Sequence, residues 1–277
     1  MSLTDARLAE IAAELIRVPG IAAVALGGSR ARGTHGPDSD TDLGLYYRRP
    51  LDVDRLAEVA KTIAGPAAQV TEPGGWGPWV DGGGWLDVGG HAVDLIYRDL
   101  DRVTAVCDDV EHGRYRFHVQ AGHPLGFADH AYAGEVALAR VLTDPAGELA
   151  GLRKRLRVYP PALARELVAG LWEADFLVML ARKGVPRGDS AYVSGCLFRL
   201  VGVCAQALHG AAGHWLINEK GAVAAAAALP GAPAGFAQRV DKAFAAVDGD
   251  PLRLRVAIDI AADLVLDTVD ACTMMMR

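Results

Sequence analysis

Two aspartates, Asp40 and Asp42, follow the glycine–serine turn Gly27-Gly28-Ser29 after an interval of ten residues from Ser29. Side chains two positions apart on a strand share a face, so an extended segment from Asp40 would point both carboxylates the same way. Glycines permit a tight turn and close backbone approach to a ligand, and a helix beginning near Ser29 would offer N–H groups to phosphate. Paired carboxylates beside such a turn predict a site for a divalent cation and a nucleoside triphosphate.

The elements that must position these residues can be read from the flanking pattern. The apolar run Ile21–Leu26 predicts a buried strand that ends at the turn, and a second strand begins near Asp40. Amphipathic spacing predicts helices over Asp5–Val18 and Leu51–Ala64. Together these segments predict an α+β unit with helices over a mixed sheet.

A further carboxylate, Asp94, stands in the apolar run Val93–Ile96. Gly89-Gly90 just before it is a two-residue hairpin signal, so Asp94 is expected on a strand that follows a tight turn. A single carboxylate in an apolar strand must be satisfied or exposed at a site. A strand-edge position facing water is the alternative.

The order of these features resembles the signature of the DNA polymerase β-like nucleotidyltransferase superfamily, namely Gly28-Ser29, ten residues, then Asp40-x-Asp42 on a strand. The size and layout are most similar to those of the small antibiotic nucleotidyltransferases of the aminoglycoside and lincosamide kind. The motif spans residues 27–45, and the order of elements agrees over most of the chain. The resemblance implies an α/β (α+β) fold, with an N-terminal nucleotidyltransferase domain built on a mixed sheet and a C-terminal helical bundle.

The resemblance also implies a reaction and its residues. In this family a third carboxylate on a neighbouring strand completes the metal-binding set, and Asp94 matches that position. ATP or another nucleoside triphosphate would rest on Gly28, Ser29 and Ser39, and two Mg²⁺ ions would bridge it to Asp40, Asp42 and Asp94. An acceptor hydroxyl would attack the α-phosphorus and pyrophosphate would leave, with Asp94 as the candidate general base. A carboxylate of the helical domain stays open as an alternative base.

Between these motifs lies the segment Thr71–Leu86, which is rich in glycine and carries three tryptophans, Trp76, Trp79 and Trp85. Two interpretations stay open for it. The indoles could plug the edge of the sheet, or they could form an aromatic wall for a base or a substrate ring.

After about Ala133 the pattern changes to long helices, which predicts a catalytic domain over residues 1–132 and a helical substrate-binding domain over residues 133–277. Glycine and proline punctuation and N-cap residues predict five helices there. They span Pro160–Lys183, Ser190–Leu208, His214–Leu229, Phe236–Val247, and Asp250 to near Met274.

A few charged side chains interrupt these apolar helices. Glu173 is a candidate anchor for a substrate amine, and Lys220 is a candidate phosphate ligand. Each also fits a simpler interpretation, in which one polar residue per turn faces solvent. Arg30 and Arg32, beside the central turn, could add positive charge near the phosphates or could equally face solvent.

Composition limits the class of protein. The chain has 277 residues of which 51% are hydrophobic, enough to bury the cores of two domains. Its four cysteines lack pairing or metal-ligand spacing, which fits a reducing cytoplasm. The N-terminus lacks signal-peptide features, and apolar runs are too short to predict a membrane span. A soluble cytoplasmic protein is expected.

Charge is uneven along the chain. Residues 1–143 hold 13 Lys and Arg against 20 Asp and Glu, a net charge of −7, whereas the remainder is +1. An acidic catalytic half disfavours a long nucleic-acid partner and favours a small cationic acceptor resembling an aminoglycoside. Two other functions stay open, a nucleotidyltransferase that modifies protein or tRNA, as in toxin–antitoxin systems, and a non-catalytic nucleotide-binding regulator. The preferred base and the oligomeric state are not determined.

Overall fold

A computed structural model describes residues 3–33, 35–36 and 39–277. It divides into two compact units, the first formed by residues 1–109 and 116–157 and the second by residues 110–115 and 158–277. Each unit has its own hydrophobic core. The functional division after residue 132 stays a prediction.

The first unit alternates strands with helices. Its strands are β1 (Ile21–Leu26), β2 (Thr41–Tyr47), β3 (Gly83–Asp87), β4 (Ala92–Asp99), β5 (Phe117–His118), β6 (Phe127–Ala128) and β7 (Arg140–Thr143). Its helices are α1 (Asp5–Leu15), α2 (Gly28–Ala31), α3 (Val53–Ala64), α4 (Leu100–Glu111), α5 (Ala131–Leu138) and α6 (Glu148–Arg155). The expected strand at Ile21–Leu26 is confirmed, and so is the short helix that follows it.

Five strands form one mixed sheet in the order β3-β4-β2-β1-β7. Strands β2 and β4 are parallel, and the other neighbouring pairs are antiparallel. Gly89 and Gly90 both adopt positive φ, and Val88 and His91 exchange two backbone hydrogen bonds around them. The predicted two-residue hairpin between β3 and β4 is therefore confirmed.

One face of the sheet is covered by α1 and α3. The core there combines the apolar stripes of both helices with alternate residues of the strands. Leu43 and Leu45 of β2 and Val93 and Leu95 of β4 all belong to this core. Because strand side chains alternate, Asp42 and Asp94 must lie on the opposite face.

The second unit is helical, with a core formed mainly by α8, α9 and α12. Its helices are α7 (Pro161–Ala169), α8 (Trp172–Gly184), α9 (Ser190–Ala211), α10 (Ala222–Ala227), α11 (Phe236–Ala245) and α12 (Pro251–Met275), with a short 3-10 helix at Val185–Arg187. Asp189 and Asp250 cap α9 and α12 with their side chains, as their positions predict. Among the described residues only α9 is long and apolar enough to cross a membrane, and 61% of its most apolar stretch is buried inside the protein, as in an ordinary core helix.

The single helix expected over Pro160–Lys183 is wrong. Two helices, α7 and α8, occupy this stretch, and α7 ends at Ala169 with Gly170 as its C-cap, whose N–H donates to the carbonyl of Glu166. A Cβ at Gly170 would lie 3.0 Å from the hydroxyl of Tyr115, so there is little room for a side chain at the break. The apolar spacing continues through the break, which is why the pattern concealed it.

The helix expected over His214–Leu229 is also wrong in its first half, since α10 covers only Ala222–Ala227. The Asn218 side chain accepts a hydrogen bond from the backbone N–H of Lys220 at 2.9 Å. Asparagine competes with helical hydrogen bonding in this way, so the segment before α10 forms a turn.

Candidate active site

The glycine–serine turn is fastened to the strand that carries Asp42. The N–H of Gly27 donates to the carbonyl of Asp42 at 2.8 Å, and Gly27 is the N-cap of α2. Gly28 has φ +60, and a Cβ placed on it would lie 1.7 Å from the Asp42 carboxylate. Position 28 therefore requires glycine for two reasons, its positive φ and the lack of space for a side chain.

Asp42 and Asp94 are direct neighbours across the parallel strands β2 and β4. Neighbouring strands lie about 4.8 Å apart, so the two residues share one face at close range. Asp40 precedes Asp42 by two positions, just before β2 begins. The structure thus places Asp42 and Asp94 side by side, and Asp40 lies near enough for its charge to raise the pKa of both.

The electrostatics of the cluster reflect burial and mutual repulsion. Burial raises the pKa of Asp42 to about 6, and the negative charges of Asp40 and Asp94 act in the same direction. Burial also raises the pKa of Asp94, again with a contribution from Asp40. Carboxylates held together in this way repel one another, and a bound cation would relieve the repulsion.

Arg30 has a structural role that was not predicted. Its Nε donates to the carbonyl of Asp40 at 2.8 Å, and its Nη2 donates to the carbonyl of Ser39. The guanidinium of α2 therefore holds the segment through which the chain enters β2. The Ser39 hydroxyl accepts a hydrogen bond from the backbone N–H of Gly36 at 3.0 Å. Of the segment between the turn and the aspartates, Thr34, Pro37 and Asp38 lie outside the described residues.

An ion pair between a buried arginine and a partly exposed glutamate lies on the carboxylate face of the sheet. Arg98 of β4 is 5% exposed and bonds to Glu135 of α5 through two contacts of 2.5 and 2.7 Å. Arg98 lowers the pKa of Asp42 and Glu135 raises it, so both charges reach the cluster. The signal that could have found this pair is a lone arginine in the apolar run before Asp99.

The chemistry of the three carboxylates fits a hard divalent cation, because Mg²⁺ takes oxygen ligands. The fit is supported by the contact of Asp42 with Gly28, and by the burial and the charge repulsion that together raise the pKa of Asp42. Over residues 3–33, 35–36 and 39–277, no group of three His, Cys, Asp or Glu side chains already has the arrangement to hold a metal ion. The metal-binding role of Asp40, Asp42 and Asp94 accordingly stays a prediction.

The tryptophan-rich segment separates into two environments. Trp79 stacks on His118 at 3.7 Å between ring centroids and also contacts Phe127 and Tyr132. Trp85 of β3, by contrast, is 71% exposed and stacks on Trp76 at 4.6 Å. Trp79 is therefore a packing residue, whereas Trp85 presents an indole to solvent.

Two candidate residues lie in the second unit. Glu173, in the first turn of α8, is bound by both Nε and Nη2 of Arg199 at 2.6 and 3.0 Å. Lys220 is exposed in the turn before α10. Neither observation tests the predicted contacts with substrate or phosphate, which stay predictions.

Comparison with known proteins bears on the first unit. Residues 6–73 match the family model described as "Nucleotidyltransferase domain". The chain is also similar to a solved structure of a nucleotidyltransferase-like protein from Exiguobacterium sibiricum, with 11% identity, a TM-score of 0.46, and coverage of 98% of this chain and 78% of the other. No curated protein gives a significant match.

The family match supports a transferase, and the first unit, which contains the matched residues, has a mixed α/β architecture. The N-terminal segment, residues 6–73, is a nucleotidyltransferase domain and is consistent with the polymerase β-like superfamily. This match contains α1, β1, α2, β2 and α3, and with them the Gly28-Ser29 turn, Asp40 and Asp42.

Proposed function

We propose that the protein transfers a nucleoside monophosphate from ATP or another nucleoside triphosphate to a hydroxyl of a small cationic acceptor. The observation that carries this proposal is the contact of Gly28 with the Asp42 carboxylate, which lies beside Asp94 on the neighbouring strand. It joins the Gly28-Ser29 turn, which is proposed to bind phosphate, to a carboxylate pair whose first member, Asp42, lies within the matched nucleotidyltransferase domain.

Each residue then has a defined task. Gly28, Ser29 and Ser39 would bind the triphosphate, and Asp40, Asp42 and Asp94 would hold Mg²⁺. When bound, Mg²⁺ neutralises charge on the reacting phosphate and on the leaving oxygens. The acceptor oxygen forms a bond to the α-phosphorus, the bond from that phosphorus to the bridging oxygen breaks, and pyrophosphate leaves. Asp94 takes the proton of the acceptor hydroxyl.

The acceptor class follows from charge. The first 143 residues have a net charge of −7, which favours amines and disfavours a polyphosphate backbone. Glu173 and Lys220 are proposed as an amine anchor and a phosphate ligand, respectively. An aminoglycoside-like molecule fits this proposal, since its hydroxyl groups can accept the nucleotide and its amines supply the positive charge.

The test is incubation with each nucleoside triphosphate, Mg²⁺ and a panel of aminoglycosides and neutral sugars, alongside tRNA and protein, followed by mass spectrometry. We expect one nucleotide added to an aminated acceptor and none with Asp42→Asn, since losing a metal ligand costs several kcal/mol of transition-state stabilisation. Asp54→Asn, at an exposed position of α3, is the matched control and should retain activity. Efficient labelling of tRNA or protein, with no labelling of small molecules, would overturn the proposal.

A further inference from the structure

The exposed tryptophan Trp85 lies in line with the candidate catalytic residues. Trp85 is the direct cross-strand partner of Asp94, and Asp94 is the direct partner of Asp42. Partners across a ladder share a face, and the next residue pair, Leu86 and Val93, lies in the core on the opposite face. The indole of Trp85 therefore belongs to the carboxylate face.

Four features follow one another across this face of the sheet. The Gly28-Ser29 turn lies at the end of β1, and Asp42, Asp94 and Trp85 follow on β2, β4 and β3. With a strand spacing of about 4.8 Å, Trp85 begins roughly 10 Å from Asp42, on the side away from the turn.

The indole is supported from one side by a second ring. Trp76 stacks on Trp85 with an angle of 21° between the ring planes. A Cβ on Gly83 would lie 2.9 Å from the Trp76 ring, so the glycine leaves room for that ring against β3. Gln120 fixes the segment further by donating to the carbonyl of Trp76 at 2.7 Å. Trp85 therefore has a fixed position and remains largely exposed.

The direction of the reaction decides which substrate reaches this ring. In phosphoryl transfer the attacking and leaving oxygens lie roughly in line through the phosphorus. If the leaving pyrophosphate rests on the Gly28-Ser29 turn, the attacking hydroxyl must approach from the opposite side, where Asp94 and Trp85 lie. The nucleoside is bonded to the α-phosphorus through another of its oxygens, which does not lie on the line between the attacking and leaving oxygens.

We propose that the indole of Trp85, supported by Trp76, is the acceptor platform of the enzyme and stacks against an aminated sugar or cyclitol ring whose hydroxyl faces Asp94. This inference rests on the proposed function and names the residue that selects its acceptor. An indole face attracts a cation within about 6 Å of its centre, and its flat surface packs against the C–H face of a saturated ring.

The first test is kinetic. Trp85→Ala should raise the KM for an aminated acceptor about tenfold, with the KM for ATP changed less than twofold, whereas Trp85→Phe should retain most of the affinity. The side chain is exposed, so both variants are expected to fold. If the KM for ATP rises instead, the ring binds the nucleobase, and the inference is overturned.

The second test measures binding without turnover and uses kanamycin A as the probe. The indole N–H resonance of Trp85, assigned by its absence in Trp85→Phe, should shift with kanamycin A and stay in place with a non-hydrolysable ATP analogue. If the Trp85 resonance does not shift with kanamycin A, or shifts with the ATP analogue, the inference that Trp85 is the acceptor platform is overturned. Failure of the proposed function has a different signature, in which the wild-type protein transfers no nucleotide to any small acceptor.

Discussion

At the scale of single residues, Asp42 combines two properties that both disfavour its charged form. It is partly buried against Gly28, and its neighbours include the carboxylates of Asp40 and Asp94. Its charged form is therefore costly for the fold but required for the proposed function. Active sites commonly retain groups that reduce stability in this way.

The first prediction concerns stability and pH. Because the pKa of Asp42 rises from 3.8 to about 6 on folding, its ionised form lowers stability above pH 6, and this cost disappears as the pH falls below 3.8. Such a shift corresponds to about 3 kcal/mol, and partial solvent exposure reduces it to about 1–2 kcal/mol. Asp42→Asn should therefore increase the free energy of unfolding at pH 8 in EDTA, with a several-fold smaller gain at pH 4.

Urea titrations of the variant and the wild type at both pH values measure this difference. Asp54→Asn, an exposed carboxylate in the same unit, is the control and should change stability little at either pH. A destabilised Asp42→Asn variant at pH 8 would contradict the assignment of repulsion to this cluster.

Asp94 leads to the second prediction. Asp94→Asn should lower kcat by at least about 100-fold while the affinity for ATP changes little, because a base acts in the catalytic step. Single-turnover kinetics and equilibrium binding separate the two quantities. A normal rate at saturating ATP with much weaker ATP binding would make Asp94 a binding residue only.

At the scale of elements, the site depends on how α2 is fastened to β2. Gly27 bonds to the Asp42 carbonyl, and Arg30 bonds to the carbonyls of Ser39 and Asp40. The turn is therefore held rigidly against the strand, and a substitution at a glycine in the turn is expected to affect the position of Asp42.

The third prediction compares two glycines that share a conformation and differ in surroundings. Gly28 and Gly33 have φ +60 and +69, but only a Cβ on Gly28 would strike Asp42, whereas that on Gly33 meets no described atom within 4 Å. Gly28→Ala should abolish nucleotide transfer by displacing the carboxylate, whereas Gly33→Ala should cost about 1 kcal/mol of stability and retain activity. If both variants lose activity equally, backbone strain explains the loss, and displacement of the Asp42 carboxylate does not.

Local patterns predicted much of this arrangement. The strand–glycine–serine–helix order, the Gly89-Gly90 hairpin and the alternation around Asp42 depend on neighbours in sequence, so the sequence shows them directly. The pairing of Arg98 with Glu135 joins residues 37 positions apart and leaves no periodic trace. The break at Gly170 was missed because the apolar spacing of α7 continues into α8 without interruption.

At the scale of the whole molecule, charge is uneven along the chain. Residues 1–143 carry the sheet and are acidic, whereas residues 144–277 are helical and close to neutral. The proposed preference for a cationic acceptor is thus a property of the charge distribution as well as of single contacts. Screening over about 8 Å at physiological salt limits the effect to carboxylates near the substrate.

The fourth prediction follows from that screening. The KM for an aminated acceptor should rise several-fold as the ionic strength is increased from about 0.05 to about 0.3 M, whereas a neutral acceptor of the same size should show little change. Steady-state kinetics with both acceptors at constant Mg²⁺ measure the difference. Identical salt dependence for the two acceptors would remove charge as the basis of selection.

The pairing of β2 with β4 also has a consequence for how activity is gained during folding. The two strands lie about fifty positions apart in the chain, and a slip of one residue would turn Asp94 into the helix-covered core and bring Val93 out. Non-local parallel pairing forms slowly, whereas helices form early. Recovery of catalysis after dilution from denaturant would therefore report strand alignment, and it should lag behind the return of the helical circular dichroism signal.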